Sequence, residues 1–153
     1  MNGLTIFRRC RSADEELAKL EGRIQRKRER MASFGGIRMD ANGGSRSTGD
    51  GDRMAGMAAA LDEAEREKRD RLEAKIAEVN AAEQLLEMVP DQESEILERY
   101  YLNKNSLREV AKKMHLSEGY VRARKKDADL AAETISEERV AGTLPRWYLQ
   151  KWG

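Results

Sequence analysis

Cysteine, histidine and proline are almost missing from this 153-residue chain, and each scarcity closes off a class of protein. Cys10 is the only cysteine, which excludes a disulfide framework within the chain and suits a reducing compartment. His115 is the only histidine, so no multi-histidine metal site can be assembled. Carboxylates are plentiful, yet no acid/base pair in a pocket stands out, nor any Ser-His-Asp or Cys-His arrangement. The chain is therefore read as a non-enzyme without catalytic residues, metal or cofactor. No apolar run approaches the ~20 residues that span a bilayer. The opening MNGLTIFRRCRSADEELAKL puts basic residues after a short apolar patch and lacks a hydrophobic region beyond it, unlike a secretory signal. A cytoplasmic protein with no membrane partner is the expectation.

Two prolines leave room for long helices, because proline breaks helix interiors. Apolar residues make up 39% and charged residues 37%, a balance that favours solvated helices with modest cores over a deep enzyme pocket. The net charge of +1 conceals a segregation. Residues 62–98 hold 13 acidic against 5 basic side chains, and residues 99–126 hold 9 basic against 2 acidic. A basic block directly after an acidic one points to a polyanionic partner for the basic part, with self-neutralisation inside the fold as the alternative.

The N-terminal part reads as helix, break, helix. Ser12 with Glu15 has the form of a capping box, and Leu17, Leu20, Ile24 and Met31 make a narrow apolar seam, with RIQRKRER keeping the rest of the helix wet. Residues 33–53, SFGGIRMDANGGSRSTGDGDR, carry six glycines among Ser, Thr, Asn and Asp and predict a flexible loop. No Gly-Lys-Ser/Thr sequence occurs there and no strand precedes it, which weighs against a phosphate-cradling loop. Residues 54–89 are dominated by strong helix formers and predict one long helix ended by Pro90. Leu61, Leu72, Ile76, Val79, Leu86 and Val89 form its a/d-like stripe. Two partners for that stripe stay open: the first helix, folded back as an antiparallel hairpin, or a second copy in a homodimer.

Beyond Pro90 the pattern shortens. Asp91 is placed to cap a helix whose apolar face is Ile96, Leu97, Tyr100 and Tyr101. Ser106 with Glu109 forms a second capping box, and Leu107, Val110, Ala111 and Met114 recur at helical spacing. His115 and Leu116 make a tight connection, and Ser117 caps a third helix that opens EGYVRARKK. Two helices that cross steeply need a small residue at their approach, and Ala111 supplies it. Tyr120, Arg122, Lys125 and Lys126 fall on the outward positions of the second helix. This is the form of a helix-turn-helix whose second helix enters the major groove of double-stranded DNA. The candidate contact set is Ser117, Glu118, Tyr120, Arg122, Lys125 and Lys126, with Ser106, Arg108, Lys112 and Lys113 on flanking phosphates.

SLREVAKKMHLSEGYVRARKKDADL, preceded by ILERYYLN, resembles region 4 of the sigma-70 type sigma factors. It is more similar still to the sigma-region-4-like regulators of phages and prophages, late-gene activators among them. Those regulators also show a basic N-terminal helix, a Gly/Ser-rich break and a long charged helix before the DNA-binding motif. The resemblance implies regulation of phage or prophage transcription beside host RNA polymerase. It places Ser117, Glu118 and Arg122 at the recognition helix's cap and DNA-facing positions. Gly119 and Ala123 stand where sigma factors offer side chains to bases, which implies docking on phosphates more than readout of a promoter element. Arg124 and Asp129 occupy positions that are commonly apolar.

The expected architecture is all-α. A long, coiled-coil-like helical hairpin over 12–89, interrupted by the loop at 33–53, leads into a sigma-region-4-like helix-turn-helix over 91–133. An aromatic tail over 134–153 follows, whose Trp147, Tyr148, Leu149 and Trp152 either cover the back of the helix-turn-helix or meet a partner. Two rival functions have the same outline: a small-terminase-like DNA-packaging subunit, and a helical adaptor without affinity for DNA.

Overall fold

The computed structural model describes residues 1–40 and 48–153, and the described residues form seven α-helices. They are α1 (Gly3–Asp40), α2 (Thr48–Leu86), α3 (Asp91–Leu97), α4 (Leu107–Met114), α5 (Glu118–Glu133), α6 (Glu137–Thr143) and α7 (Arg146–Trp152). A π-helical turn, Glu98–Leu102, continues α3. The chain divides into two compact units, one of Glu15–Leu72 and one of Met1–Asp14 with Glu73–Gly153.

Several element ends differ from the sequence expectation, each for a local reason. The first helix begins at Gly3 and not at Ser12, because Leu4, Ile6, Phe7 and Cys10 extend its apolar face upstream and are buried. Asn2 takes the capping role, its Oδ1 accepting the Thr5 amide at 3.1 Å. Ser12 lies mid-helix, and its hydroxyl donates to the Arg9 carbonyl at 3.2 Å. The glycine-bearing stretch at 33–53 is helical at both ends, while its centre, 41–47, lies outside the described residues. Each helical glycine costs only about 1 kcal/mol relative to alanine and, unlike proline, keeps its amide for the ladder. At the other end α2 stops at Leu86, before Val89. Three successive i→i−3 bonds, from Glu87, Met88 and Val89, wind the chain down ahead of Pro90. Pro90 itself, not Asp91, stands at the N-cap of α3.

In the unit of Glu15–Leu72, α1 and α2 run antiparallel. Glu16 meets Arg71 at 2.6 Å, Glu21 meets Lys68, Arg23 meets Glu67 at 3.6 Å and Arg28 meets Glu65 at 3.1 Å. The α2 number falls as the α1 number rises, as an antiparallel hairpin requires. Ile24 and Ala64 are buried along the seam. Exposed ion pairs of this kind contribute little each. The Arg71 guanidinium, held almost wholly out of water, is the exception.

The larger unit rests on an alanine stripe of α2. Ala74, Ala77, Ala81 and Ala82, with Leu85, are buried, whereas Ile76, expected on the packed stripe, is 56% exposed and Leu72 45%. Small side chains let neighbouring helices approach closely, and the closest-packed face is therefore the one with least side chain. This face gathers Phe7, Ile96, Leu97, Tyr101, Val110 and Val121 into one core with α6 and α7. The tail is helical and belongs to that core. Tyr148 is fully buried; its hydroxyl donates to Glu78 Oε1 at 2.6 Å and accepts from Arg9 Nη1 at 2.8 Å. Burial, followed by the Glu78 carboxylate, pushes the Tyr148 phenol well above its ordinary pKa. Trp147 is left 44% exposed.

Replacing Ala81 by Leu is expected to destabilise the protein by about 1–3 kcal/mol through overpacking. Ile76→Ala, on the stripe favoured by hydropathy, is expected to stay within about 0.5 kcal/mol of the parent. Urea unfolding followed by circular dichroism separates the two outcomes.

Candidate nucleic-acid interface

The helix-turn-helix is built from local signals that the chain satisfies one by one. Ser106 caps α4, its Oγ accepting the Glu109 amide at 3.2 Å while its hydroxyl donates to Glu109 Oε1 at 3.2 Å. At the other end His115 adopts the left-handed conformation, φ 57° and ψ 41°. The Leu116 amide returns to the Ala111 carbonyl (2.9 Å) and the His115 amide to Lys112 (3.3 Å). That pair of bonds is a Schellman motif, usually closed by glycine. Ser117 then caps α5 by accepting the Tyr120 amide at 3.2 Å. Val110, Ala111 and Val121 are buried, and Leu107, Met114 and Leu116 pack against them.

The candidate contact residues divide by what already holds them. Arg108, Lys112 and Lys126 are exposed and have no ion-pair or hydrogen-bond partner among the described residues. Lys113 donates to Asn105 Oδ1 at a long 3.3 Å. Glu118 and Arg122 pair with each other at 3.0 Å on the surface, with the Arg122 side chain 63% exposed. Tyr120 is drawn toward α3: its hydroxyl donates to Gln92 Oε1 (3.2 Å) and accepts from Arg124 Nε (3.1 Å). The bond from the Arg124 guanidinium holds the Tyr120 phenol below its ordinary pKa.

Lys125 is a correction. It was expected on the outward face, but its side chain is only 18% exposed and its ammonium meets Asp129 at 2.8 Å. It also sits 4.6 Å from the centre of the Tyr100 ring. Asp129 in turn accepts the Tyr101 hydroxyl at 2.7 Å. Burial and this carboxylate raise the Tyr101 pKa. The polar residues at commonly apolar positions are thus accommodated by pairing, Asp129 with Lys125 and Tyr101, and Arg124 with Glu93 (3.7 Å) and Asp127 (3.5 Å).

Sequence reasoning missed the supports that arrive from α1. The Arg11 guanidinium donates to the Asn105 carbonyl at 3.2 Å and to that of Tyr100, and stacks 3.9 Å from the Tyr100 ring centre. Asp14 accepts from Lys75 at 2.6 Å and from Lys104, whose backbone is also left-handed (φ 59°). Arg11 and Asp14 fix the connection that delivers Ser106 to its cap. Their separation in sequence from α4 left no local signal.

Ser117→Ala removes the cap of α5 and is expected to cost about 1 kcal/mol in urea unfolding. The Asp14 carboxyl lies below its ordinary pKa, first because Lys104 and then because Lys75 bonds to it. A depressed carboxylate stabilises the fold above its unfolded pKa of roughly 4, and that stabilisation is lost as pH falls through the lower folded value. Asp14→Asn is therefore expected to destabilise near neutral pH and to converge with the parent as pH falls past the lowered folded value, read as denaturant midpoints across a pH series.

No curated protein and no solved structure matches the chain. A family model does match, and it covers the helices just described. Residues 85–129 fit the model described as sigma-70, region 4, so the segment from the end of α2 through most of α5 is a region 4-type helix-turn-helix.

Proposed function

We propose that the chain is a non-enzymatic, DNA-binding transcription regulator of the phage or prophage type, acting beside host RNA polymerase. The observation that carries the reading is the pairing of a capped, tightly turned helix-turn-helix with cations that the fold leaves unused. Arg108 and Lys112 on α4, and Lys126 on α5, have no ion-pair or hydrogen-bond partner among the described residues. Lys113 and Arg122 are held only by a long hydrogen bond and an exposed ion pair, which a phosphate can displace. In this reading α5 docks in a major groove, and Ser106, Arg108, Lys112 and Lys113 grip flanking phosphates. Ser117, Glu118, Arg122 and Lys126 stand at the groove-facing end of α5, while Tyr120 braces that helix against α3.

Base readout is modest in this arrangement. A methyl group built at Gly119 meets nothing within 4 Å, so the position offers the groove an open backbone. Ala123, exposed beside Arg122, offers a methyl and no hydrogen bond. Arg122 and Lys126 are exposed side chains there able to reach guanine, and Arg122 must leave Glu118 to do so. Phosphate contacts then supply most of the affinity, and polymerase supplies the rest of the address. The phage setting and the polymerase rest on the resemblance of SLREVAKKMHLSEGYVRARKK to that class of regulators.

Fluorescence anisotropy with duplex DNA across a salt series tests the reading. Binding is expected to weaken steeply with salt, and Arg108→Gln with Lys112→Gln to lower the slope of log K against log salt by roughly 2. A flat salt response, or no binding near ~50 mM salt, would sink it.

A further inference from the structure

The sigma-type segment leaves a second basic feature without a role, on α1 in the unit of Glu15–Leu72. Lys19, Arg23, Arg26, Lys27 and Arg30 succeed one another at spacings of four, three, one and three. At about 100° per residue all five fall on one side of the helix, over a length of roughly 16 Å. Four are exposed and Lys27 is half-buried.

Elsewhere on this helix charge is spent on α2: Glu16 on Arg71, Glu21 on Lys68, Arg28 on Glu65. Within the strip, Lys19 and Arg23 have loose partners among the described residues, Glu15 at 3.5 Å and Glu67 at 3.6 Å. Arg26, Lys27 and Arg30 have no ion-pair or hydrogen-bond partner among the described residues. Glu29 interrupts the run in sequence, but its carboxylate accepts from Gln25 at 3.4 Å. A surface built only for solubility alternates signs four residues apart. Here Lys19–Arg23, Arg23–Lys27 and Arg26–Arg30 are like-charge i,i+4 pairs, each of which weakens the helix. An arrangement that repels itself is relieved by a bound polyanion.

We infer that this strip is a second nucleic-acid contact, gripping backbone phosphates of duplex DNA independently of base sequence. A lipid surface fits less well, because the apolar face of α1 is turned to α2 and leaves nothing to insert. The choice of duplex DNA among polyanions rests on the DNA-binding reading of the helix-turn-helix, which brings that polymer to the same molecule. The strip lies outside the matched residues 85–129 and adds affinity without adding specificity.

Four versions of the full chain test the inference against a random-sequence duplex, by anisotropy across a salt series. They are the parent, an Arg26→Gln/Lys27→Gln/Arg30→Gln variant, an Arg108→Gln/Lys112→Gln/Lys126→Gln variant and an Arg26→Lys/Arg30→Lys variant. Glutamine keeps helix propensity, and circular dichroism checks that the helices persist. The strip variant is expected to lower the salt slope by about 2 to 3, at about 0.9 per phosphate released. The charge-preserving Arg26→Lys/Arg30→Lys variant is expected to keep the parent slope. A strip variant with parental affinity and slope, beside a helix-turn-helix variant that loses both, overturns the strip and leaves the helix-turn-helix reading standing. The reverse pattern keeps the strip and overturns that reading, and a parent that does not bind overturns both. Equal loss in the lysine-for-arginine variant also overturns it, because the effect is then not one of charge.

Discussion

One face of α1 carries the placement of the helix-turn-helix. Gly3, Phe7, Arg11 and Asp14 follow at spacings of four, four and three, and each meets a different part of the C-terminal helices. Gly3 donates its amide to Ile135 at 3.3 Å, and a methyl group there would sit 2.5 Å from the Ala132 carbonyl oxygen. No larger residue fits without moving backbone. Phe7 lies 6.0 Å from the Tyr101 ring, Arg11 bonds the carbonyls of Tyr100 and Asn105, and Asp14 holds Lys104. A short helix pair such as α4–α5 buries too little surface to be rigid alone. The face of α1 supplies the missing contacts, and it runs from a glycine that permits close approach to a carboxylate that fixes a charge.

The parts legible in the sequence were those decided by neighbours in the chain. Ser106, Ser117 and the His115–Leu116 turn are read from side chains within three residues of the backbone groups they satisfy, so their roles carry straight into the structure. The family match to residues 85–129 falls on the same stretch. What was not legible depended on partners far along the chain. Ser12 looked like a cap because its spacing to Glu15 is right, but the helix had already started upstream under the pull of Phe7 and Cys10. Hydropathy ranked Leu72 and Ile76 above alanine, whereas close approach selected Ala74, Ala77 and Ala81. Lys125 lies on the basic run of α5, yet a single carboxylate one turn away at Asp129 rotates its charge inward.

The segregated charges follow the same logic. In the acidic block of α2, Glu65 and Glu67 meet arginines of α1 at the surface. Glu78 is the telling exception, a carboxylate almost wholly removed from water and held by the Tyr148 hydroxyl. A buried carboxylate is tolerated where its hydrogen-bonding capacity is met, and removing one partner costs more than the bond itself is worth. The tail, which composition alone left between a cover and a partner site, thereby becomes part of the scaffold through Tyr148, while Trp147 keeps an outward face.

His115 closes the turn in a conformation that glycine would enter without strain. A glycine there would also enlarge the ensemble of the unfolded chain, and the two effects, each on the order of 1 kcal/mol, oppose one another. The turn is therefore nearly indifferent to stability in its choice of residue. What histidine adds is restriction: a side chain at this position leaves the backbone between α4 and α5 fewer states to visit than glycine would. The ordering of the connection between α4 and α5 is thereby settled during folding, and a partner of this helix pair would not have to impose it.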